Sequence, residues 1–454
     1  MKMKSKSTTN DAYAKLHWGE RIAYGCGHGG GGVILNVLIQ SFMLAYYTDT
    51  MLIGASAIAA MFLLMRVLDG VTDVIFGSIV DKTNTRWGKA RPWILVSAIT
   101  IPASIIASFW APQLGEHAKI VYAYITYFLS SCIAYTIFNI ADYALLARMT
   151  RNDEERTTCS TVMMVINNIV TVIIGAVIAP MVSKIGWRYT SIILGIAAFA
   201  FLMYEFLFTR ERVGATIGEE EEDIPVKVAL KSVAKNKYFW LLAIFETLLC
   251  IVVVNVGQAA VFYCNWVLKD PMYISSILSI GTLPSIAVLF LIPLLAKKFS
   301  KSAQMIFFSF VMLVGYVLGG IAGENHMLVM LSVMLRLVGS SPLFAVPAAM
   351  VGDISDYNEW KTGVRSSGMC SMGMSVGGKI GMGVGAAITG WVLAGAGYNA
   401  QAATQSAAVI TGIKFSFGWI NAILTVILII IAWKMDIHKY MPQVQKDLEA
   451  RRAK

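Results

Sequence analysis

Residues 66–95 read RVLDGVTDVIFGSIVDKTNTRWGKARPWIL, an apolar stretch that carries two aspartates and ends in a short basic loop. Arg66, Asp69 and Asp73 are three or four residues apart, so in a helix they share one face. Counted back from Val80 at about 1.5 Å per residue, Asp73 and Asp69 lie about 10 Å and about 16 Å inside the stretch. If this helix crosses a membrane, both carboxylates are at a depth where ionisable groups are usually functional.

Two interpretations of this pair of aspartates are open. The first is a hydrated ion site or a proton relay, because two acidic groups on one face are costly to bury without a function. The second is a structural ion pair with Arg66, which leaves the other carboxylate unmatched.

The composition of the whole chain is that of a membrane protein. Of its 454 residues 57% are hydrophobic and only 14% are charged, against about 25% charged in soluble domains. A helix satisfies its own backbone groups in lipid, so the recurring apolar stretches predict an all-α membrane protein. With about 20 residues per crossing, the sequence predicts twelve transmembrane helices near 21–48, 55–80, 93–112, 119–147, 160–183, 188–208, 239–265, 273–296, 303–322, 327–351, 366–393 and 408–434.

A long polar stretch at 209–238 divides these spans into six and six. We therefore predict an N-terminal six-helix bundle at 1–208, a cytoplasmic central loop, and a C-terminal six-helix bundle with a cytoplasmic tail at 239–454. Two pseudo-symmetric bundles that rock about a midplane site are typical of secondary transporters. No nucleotide-binding P-loop or hydrolase motif occurs, which argues against an ATP-driven pump or an enzyme and leaves an ion or substrate gradient as the energy source.

The basic residues predict the orientation of the chain. If the N-terminus is inside, 29 of the 37 lysines and arginines lie on the cytoplasmic side, as the positive-inside rule requires. Both termini are therefore expected in the cytoplasm, and the net charge of +10 indicates topology rather than nucleic-acid binding. The six cysteines lie singly, without metal-binding spacing, which predicts free thiols and no metal or cofactor.

The segment 66–95 resembles the second helix and following loop of the glycoside-pentoside-hexuronide:cation symporters, a melibiose permease-like branch of the major facilitator superfamily. Further segments agree in matching order over nearly the full chain: YYTD at 46–49, YTIFNI at 135–140, DISDYNEWKTGVR at 353–365, and GKIG at 378–381 leading to GWVL at 390–393. The resemblance implies a major facilitator fold in a bacterial inner membrane. It also implies import of a sugar or glycoside with a proton or sodium ion by alternating access, in a protein that works as a monomer. The alternative is a passive facilitator or an exporter of small organic solutes.

The same resemblance implies an ion site. Asp69 and Asp73 would bind the coupling cation, as metal ligands only if that cation is sodium, and Thr136 and Asn139 would complete the site. Melibiose permease has an aspartate where this chain has Asn139, and the uncharged amide weakens the case for sodium.

The substrate residues depart from the family pattern. Tyr143 matches the aromatic residue on which the sugar stacks, but the first span reads YGCGHGGGG at 24–32 and lacks the acidic residue of melibiose permease. Asp142 stands where a tyrosine is common. His28 is either padding within a glycine-rich helix or a group that titrates near neutrality. The full set of predicted substrate-binding residues is His28, Asp142, Tyr143, Arg336, Lys379 and Trp391.

Two deep cations point to an acidic substrate. Arg336 and Lys379 lie about 24 Å and about 20 Å from the cytoplasmic ends of their spans, and a guanidinium suits a carboxylate or sulfonate. We therefore predict an acidic sugar such as a hexuronide. The open alternatives are that Arg336 snorkels to the surface, that Glu246 holds it while a neutral glycoside binds, or that Lys379 is a structural counter-ion to Asp69 or Asp73.

Two further patterns concern packing and gating. Gly373, Gly377, Gly381 and Gly385 form an i, i+4 ladder that lets another helix approach closely. The basic loop at 81–92 is either topogenic charge or, as its resemblance to the cytoplasmic gating motif of major facilitators implies, a latch between helices that breaks when the protein opens inward. The run 353–365 is the corresponding candidate in the second half. The residues predicted for gating are Asp81, Arg86, Lys89, Arg91, Asp353 and Asp356.

Overall fold

The structure is a computed structural model that describes residues 15–110, 112–150, 152–212, 232–296, 298–363 and 367–452. This described part is helical, apart from turns, loops and one isolated bridge between Thr85 and Gly88. It contains twelve long helices, α1 to α12, and a short C-terminal helix, α13. Each of the twelve predicted spans overlaps one of the long helices, which confirms the all-α fold.

The first six helices follow one another with short connections. In chain order they are α1 (Trp18–Thr50), α2 (Ala55–Lys82), α3 (Arg91–Ser108), α4 (Glu116–Met149), and then α5 and α6, which together form Asp153–Phe208. The break between α5 and α6 is at Gly186, whose φ of 75° lies in the left-handed region that favours glycine.

The last six helices begin after the central polar stretch. They are α7 (Lys237–Val267), α8 (Tyr273–Ser279 and Leu283–Ala296, joined by a 3₁₀ turn), α9 (Lys301–Ile321), α10 (His326–Thr362), α11 (Ser367–Ala396) and α12 (Ala407–Lys414 and Ile420–Lys434, joined by a π-helical turn). The C-terminal helix α13 is Met441–Arg452.

Ten helical segments of the described residues are long and apolar enough to cross a membrane. One of the ten, Glu155–Phe208, contains both α5 and α6, and the 28-residue helix α2 lies outside this set. The chain is a multi-pass membrane protein. Its helices form two compact units, one within Met1–Ala57 and Leu64–Glu219 and the other within Ile58–Leu63 and Glu220–Lys454.

Glycines let α1 pack closely in the first unit. The backbone of Gly29 approaches Asn167 of α5 so closely that an added Cβ would lie 2.7 Å from the Asn167 nitrogen. Gly30 meets the ring of Phe201 on α6, and Gly32 meets Phe138 on α4. The residues 27–32 form a π-helical turn, a feature that is frequent at functional sites.

The glycine ladder of α11 packs against α7 in the second unit. An added Cβ at Gly377 or Gly385 would lie 2.6 Å from the carbonyl oxygen of Ala243 or Ile251, respectively. Gly381 meets the carbonyl of Thr247, which lies between those two on the same face of α7. The predicted close approach of a second helix backbone is therefore confirmed.

The main difference from the predicted spans is at the end of α10. The expected span ends at residue 351 and is followed by a loop, but the helix continues to Thr362 and is capped by Gly363 with a left-handed φ of 74°. A left-handed glycine is a common helix terminator. The predicted span marks only where the apolar stretch ends, and the helix itself continues as a polar segment outside the membrane. All six cysteines are free thiols, as predicted.

Candidate functional site

Asp69 is buried on α2 and contacts α4 directly. The Thr136 hydroxyl donates a 2.9 Å hydrogen bond to Oδ1 of Asp69, and Nη1 of Arg66 lies 3.6 Å from Oδ2. The Arg66 contact is longer than the roughly 2.7–2.9 Å of a tight charge-assisted bond. The structure thus brings together two of the four predicted cation ligands, beside the arginine of the alternative interpretation.

Asp73 and Asn139 are half-buried about one turn further along α2 and α4 than the pair Asp69–Thr136. No group of three or more His, Cys, Asp or Glu side chains that could hold a metal ion occurs within the described part of the chain. A sodium ion on this face would therefore need neutral oxygens, such as the Thr136 hydroxyl, beside the two carboxylates.

A second polar cluster joins α1 to α4. Asp142 is fully buried, and its Oδ2 lies 2.8 Å from Nδ1 of His28 and accepts a 3.3 Å hydrogen bond from the Tyr24 hydroxyl. The ring of Tyr143 is 5.6 Å from that of His28, between centroids, and its side chain is 56% exposed. Three predicted substrate residues, His28, Asp142 and Tyr143, therefore lie together in the first unit.

Glu205 of α6 belongs to the same cluster and was missed by the sequence analysis. Its side chain is fully buried, lies against Gly27 of α1, and is within hydrogen-bonding reach of Asp142. An added Cβ at Gly27 would collide with this carboxylate. The available signal was a single acidic residue within the predicted span 188–208, but its position near the end of that span resembles a boundary residue.

Arg336 is buried among aromatic rings in the second unit. Its side chain is 5% exposed, its guanidinium lies 4.3 Å from the ring centroid of Phe417 and 5.3 Å from that of Tyr316, and Nη1 donates to the Phe417 carbonyl at 3.4 Å. The snorkelling alternative does not fit this burial. Pairing of Arg336 with Glu246 is also wrong, because Glu246 lies beside Gly378 and accepts from the Cys250 thiol at 3.7 Å.

The other two predicted substrate residues of this unit are on α11. Lys379 is half-buried, next to the Gly378 that faces Glu246. Trp391 is 45% exposed. The structure does not place Trp391 in the aromatic cluster around Arg336, which is formed by residues of α9 and α12.

The basic loop before α3 is held within the first unit. Nη2 of Arg91 donates to the carbonyl of Phe206 at 2.7 Å and its guanidinium lies over the Phe206 ring, while backbone N–H groups of Lys89 and Arg91 donate to Glu211 at 3.0 Å. The guanidinium of Arg86 stacks on the neighbouring indole of Trp87. Asp81 is in α2, but its side chain lies outside the described residues.

The predicted gating residues of the second unit lie in the polar C-terminal part of α10. Asp353 forms an ion pair with Lys301 at the start of α9, with Oδ2 2.7 Å from Nζ. Asp356 is half-buried one turn later.

This arrangement of long apolar helices with buried ionisable groups is accompanied by a direct family match. A model of the family described as MFS/sugar transport protein matches residues 23–439. The chain belongs to this family. As a member of the MFS/sugar transport family it is a transporter and not an enzyme, and its resemblance to the glycoside-pentoside-hexuronide:cation symporters is confirmed.

Three relatives within the family illustrate its range. The chain is 29% identical to an isoprimeverose transporter of Lactiplantibacillus pentosus, over 96% of this chain and 92% of the relative. It is 26% identical to the glucuronide carrier protein homolog of Escherichia coli, over 86% and 87%. It is 24% identical to a putative 2,3-dihydroxypropane-1-sulfonate exporter of Salmonella typhimurium, over 99% of each.

Solved structures agree on the fold. The crystal structure of the nucleoside transporter NupG matches with a TM-score of 0.64 at 14% identity, over 91% of this chain and 98% of that one. A D-xylose-proton symporter matches with a TM-score of 0.66 at 13% identity, over 92% and 96%. At this identity the likeness concerns the fold alone.

Proposed function

We propose that this transporter imports an acidic sugar or glycoside, such as a hexuronide, together with one cation by alternating access. The observation that carries the proposal is the burial of Arg336. Its guanidinium has aromatic rings and a carbonyl oxygen around it, and no ion pair to a carboxylate occurs among the described residues. A buried cation without an anionic partner is costly, and a substrate carboxylate would compensate it in bidentate geometry.

The names of two relatives support an anionic substrate. Glucuronides carry a carboxylate and 2,3-dihydroxypropane-1-sulfonate carries a sulfonate, and both groups match the planar donor fork of arginine. Tyr143 would stack on the sugar ring, and Lys379 and Trp391 would lie along the substrate path. His28 and Asp142 would face the substrate from α1 and α4.

The coupling cation would bind on α2. Asp69 already has Thr136 as a hydrogen-bonding neighbour, and Asp73 and Asn139 follow on the same two helices. One charge moving down about 100 mV releases about 2.3 kcal/mol, which corresponds to nearly two decades of accumulation at about 1.4 kcal/mol per decade. One cation per sugar is therefore sufficient for concentrative uptake.

Proteoliposomes test the substrate and the ion together. Uptake of labelled D-glucuronate should be concentrative under an imposed proton or sodium gradient, and unlabelled methyl glucuronide should compete far better than the matched methyl glucoside. Equal competition by the neutral glucoside would refute the acidic-substrate proposal.

Export is the second candidate, because one relative is a putative sulfonate exporter that aligns over nearly the whole chain. Inside-out and right-side-out vesicles distinguish the two directions. Accumulation of D-glucuronate in intact cells or right-side-out vesicles supports import, while accumulation only in inside-out vesicles supports export.

We further propose the topology and organisation inferred from the sequence. The segments 1–208 and 239–454 would be two six-helix domains joined by a cytoplasmic loop, in a bacterial inner membrane, with both termini cytoplasmic and the monomer as the working unit. The gating residues would act at the cytoplasmic ends: Asp81, Arg86, Lys89 and Arg91 in one half, Asp353 and Asp356 in the other. Reporter fusions at residue 454 test the orientation, since an external C-terminus contradicts it.

A further inference from the structure

We propose that Glu205, Asp142 and His28 form a proton-binding site, and that the coupling cation is a proton that occupies this site as well as the α2 site of Asp69 and Asp73 in the course of transport. The inference rests on the proposed symport function but concerns a different site from Asp69 and Asp73. It assigns a role to Glu205, which no sequence motif marks.

The first argument is the geometry of the two carboxyl groups. Glu205 and Asp142 are both 0% exposed, come from α6 and α4, and are within hydrogen-bonding reach of each other. Both oxygens of Glu205 and Oδ1 of Asp142 have no hydrogen-bond donor among the described atoms. Buried polar atoms in proteins are nearly always hydrogen-bonded. A proton shared between the two carboxyl groups supplies the missing donor and forms a strong charge-assisted bond.

The second argument is the local charge. His28 contributes at most one positive charge against the two carboxyl groups, and no lysine or arginine within the described ranges forms an ion pair or hydrogen bond with either of them. Two ionised carboxylates side by side repel each other and lose their hydration. A bound proton reduces the cluster to one carboxylate facing one imidazole.

The other titratable side chains around the cluster are weaker acids than a carboxyl group and are less suited to exchange this proton. Those that titrate and interact with it are three phenols and a thiol: Tyr24, Cys26, Tyr135 and Tyr143. The α5 residues that approach Gly25 and Gly29 beside the cluster are Val162, Met163, Ile166 and Asn167, none of which titrates.

The third argument is access. His28 is 14% exposed, whereas the carboxyl group of Asp142 behind it is completely buried. The imidazole is therefore the partly exposed member of the cluster, in direct contact with Asp142 and with the exposed ring of Tyr143 beside it. A ring that accepts a proton on one nitrogen and releases one from the other can carry protons between the two.

The fourth argument is the space made for Glu205. Its carboxylate occupies the position that a Cβ at residue 27 would take, so Gly27 is required for it. The same residue lies in the π-helical turn of α1. The backbone of α1 is thus shaped around a buried acid.

Infrared spectroscopy of the purified full-length protein tests the bound proton without any substrate. At neutral pH the parent should show the carbonyl band of a protonated carboxylic acid that is absent from Glu205→Gln. Glu246→Gln is the matched control, because it removes a buried glutamate of the second unit and should leave the Glu205 band in place. Identical carboxyl bands in the parent and Glu205→Gln would overturn the proposal.

Transport tests the coupling. Accumulation of labelled D-glucuronate driven by a proton gradient should fall by about tenfold or more in Glu205→Gln, while counterflow exchange, which needs no net proton movement, persists. Unchanged proton-driven accumulation in this variant, or a parent driven by sodium and not by protons, contradicts the coupling role. If the parent shows no counterflow of D-glucuronate, the substrate proposal fails, and the infrared comparison still decides the proton site.

His28→Gln serves if Glu205→Gln does not fold. The amide retains a donor for Asp142 but cannot carry a proton. This variant should keep the Glu205 carboxyl band and lose proton-driven accumulation. Normal proton-driven accumulation in His28→Gln would exclude the relay.

Discussion

The carboxylate of Glu211 lies against Gly88, in space that the Cβ of any other residue would fill. From there it accepts hydrogen bonds from backbone N–H groups at the start of α3, including a 2.8 Å bond from that of Ala90. A carboxylate at a helix N-terminus is stabilised both by these hydrogen bonds and by the helix dipole. The glycine of the basic loop therefore fixes how the end of α6 joins the start of α3.

Gly88→Ala should destabilise the protein by about 2 kcal/mol or more, because it combines a left-handed φ of 113° with loss of the cap. Thermal unfolding of the detergent-purified protein measures this as a lower Tm. The control is Gly19→Ala, at an exposed glycine inside α1 with open space around it, which should be neutral or stabilising by up to about 1 kcal/mol. Equal Tm values for the two variants would contradict the role of Gly88.

Asp73→Asn and Asp69→Asn should abolish uphill uptake of D-glucuronate while leaving some substrate binding, because each removes a deep charge from the proposed ion site. The measurements are accumulation of D-glucuronate in proteoliposomes and equilibrium binding of D-glucuronate to the same purified variants. Undiminished concentrative uptake in Asp73→Asn would exclude its coupling role.

Thr136→Val should weaken cation activation of uptake by about fivefold, corresponding to loss of one hydrogen bond worth about 1 kcal/mol. The reason is the 2.9 Å bond from Thr136 to Asp69. Thr136→Ser keeps the hydroxyl and is the matched control. A cation dependence that is the same in both variants would show that the hydroxyl does not contribute.

Arg336→Ala and Arg336→Lys should both reduce uptake of D-glucuronate sharply, by about tenfold or more, because lysine lacks the planar fork and stacks less well on Phe417. Arg188→Lys is the control, since Arg188 also stacks on an aromatic ring, that of Trp110, at 4.0 Å in the other unit. Retained uptake in Arg336→Lys would mean that charge alone suffices.

Gly381→Ala should lower the stability of the second unit by about 1–3 kcal/mol, because the added methyl collides with the backbone of α7 at Thr247. Gly352→Ala is the control on α10, where nothing lies within 4 Å; there alanine should be neutral or stabilising by up to about 1 kcal/mol. Thermal unfolding compares the two. A Gly381→Ala protein as stable as Gly352→Ala would mean that α11 and α7 can separate without cost.

Much of the candidate site was predictable residue by residue, but its grouping was not. The spacing and depth of Asp69 predicted the functional face of α2, and the family resemblance predicted that Thr136 belongs to the same site. Their hydrogen bond confirms that the two are adjacent, while their role in ion binding stays a prediction. Arg336 was expected to bind a substrate anion, to snorkel or to pair with Glu246. Only the tertiary structure, which buries Arg336 against Phe417 and Tyr316 and places Glu246 beside Gly378, removed the last two possibilities.

The sequence by itself determined the twelve helices and the ladder of α11, because hydropathy, span length and i, i+4 spacing are local properties of the chain. The cluster of His28, Asp142 and Glu205 was decided by the tertiary structure. Glu205 is 63 residues from Asp142 and 177 from His28 in the chain, and no local pattern relates them. They meet because the glycines of α1 allow α4 and α6 to approach it closely, and contacts of this kind depend on helix packing rather than on the composition of any one segment.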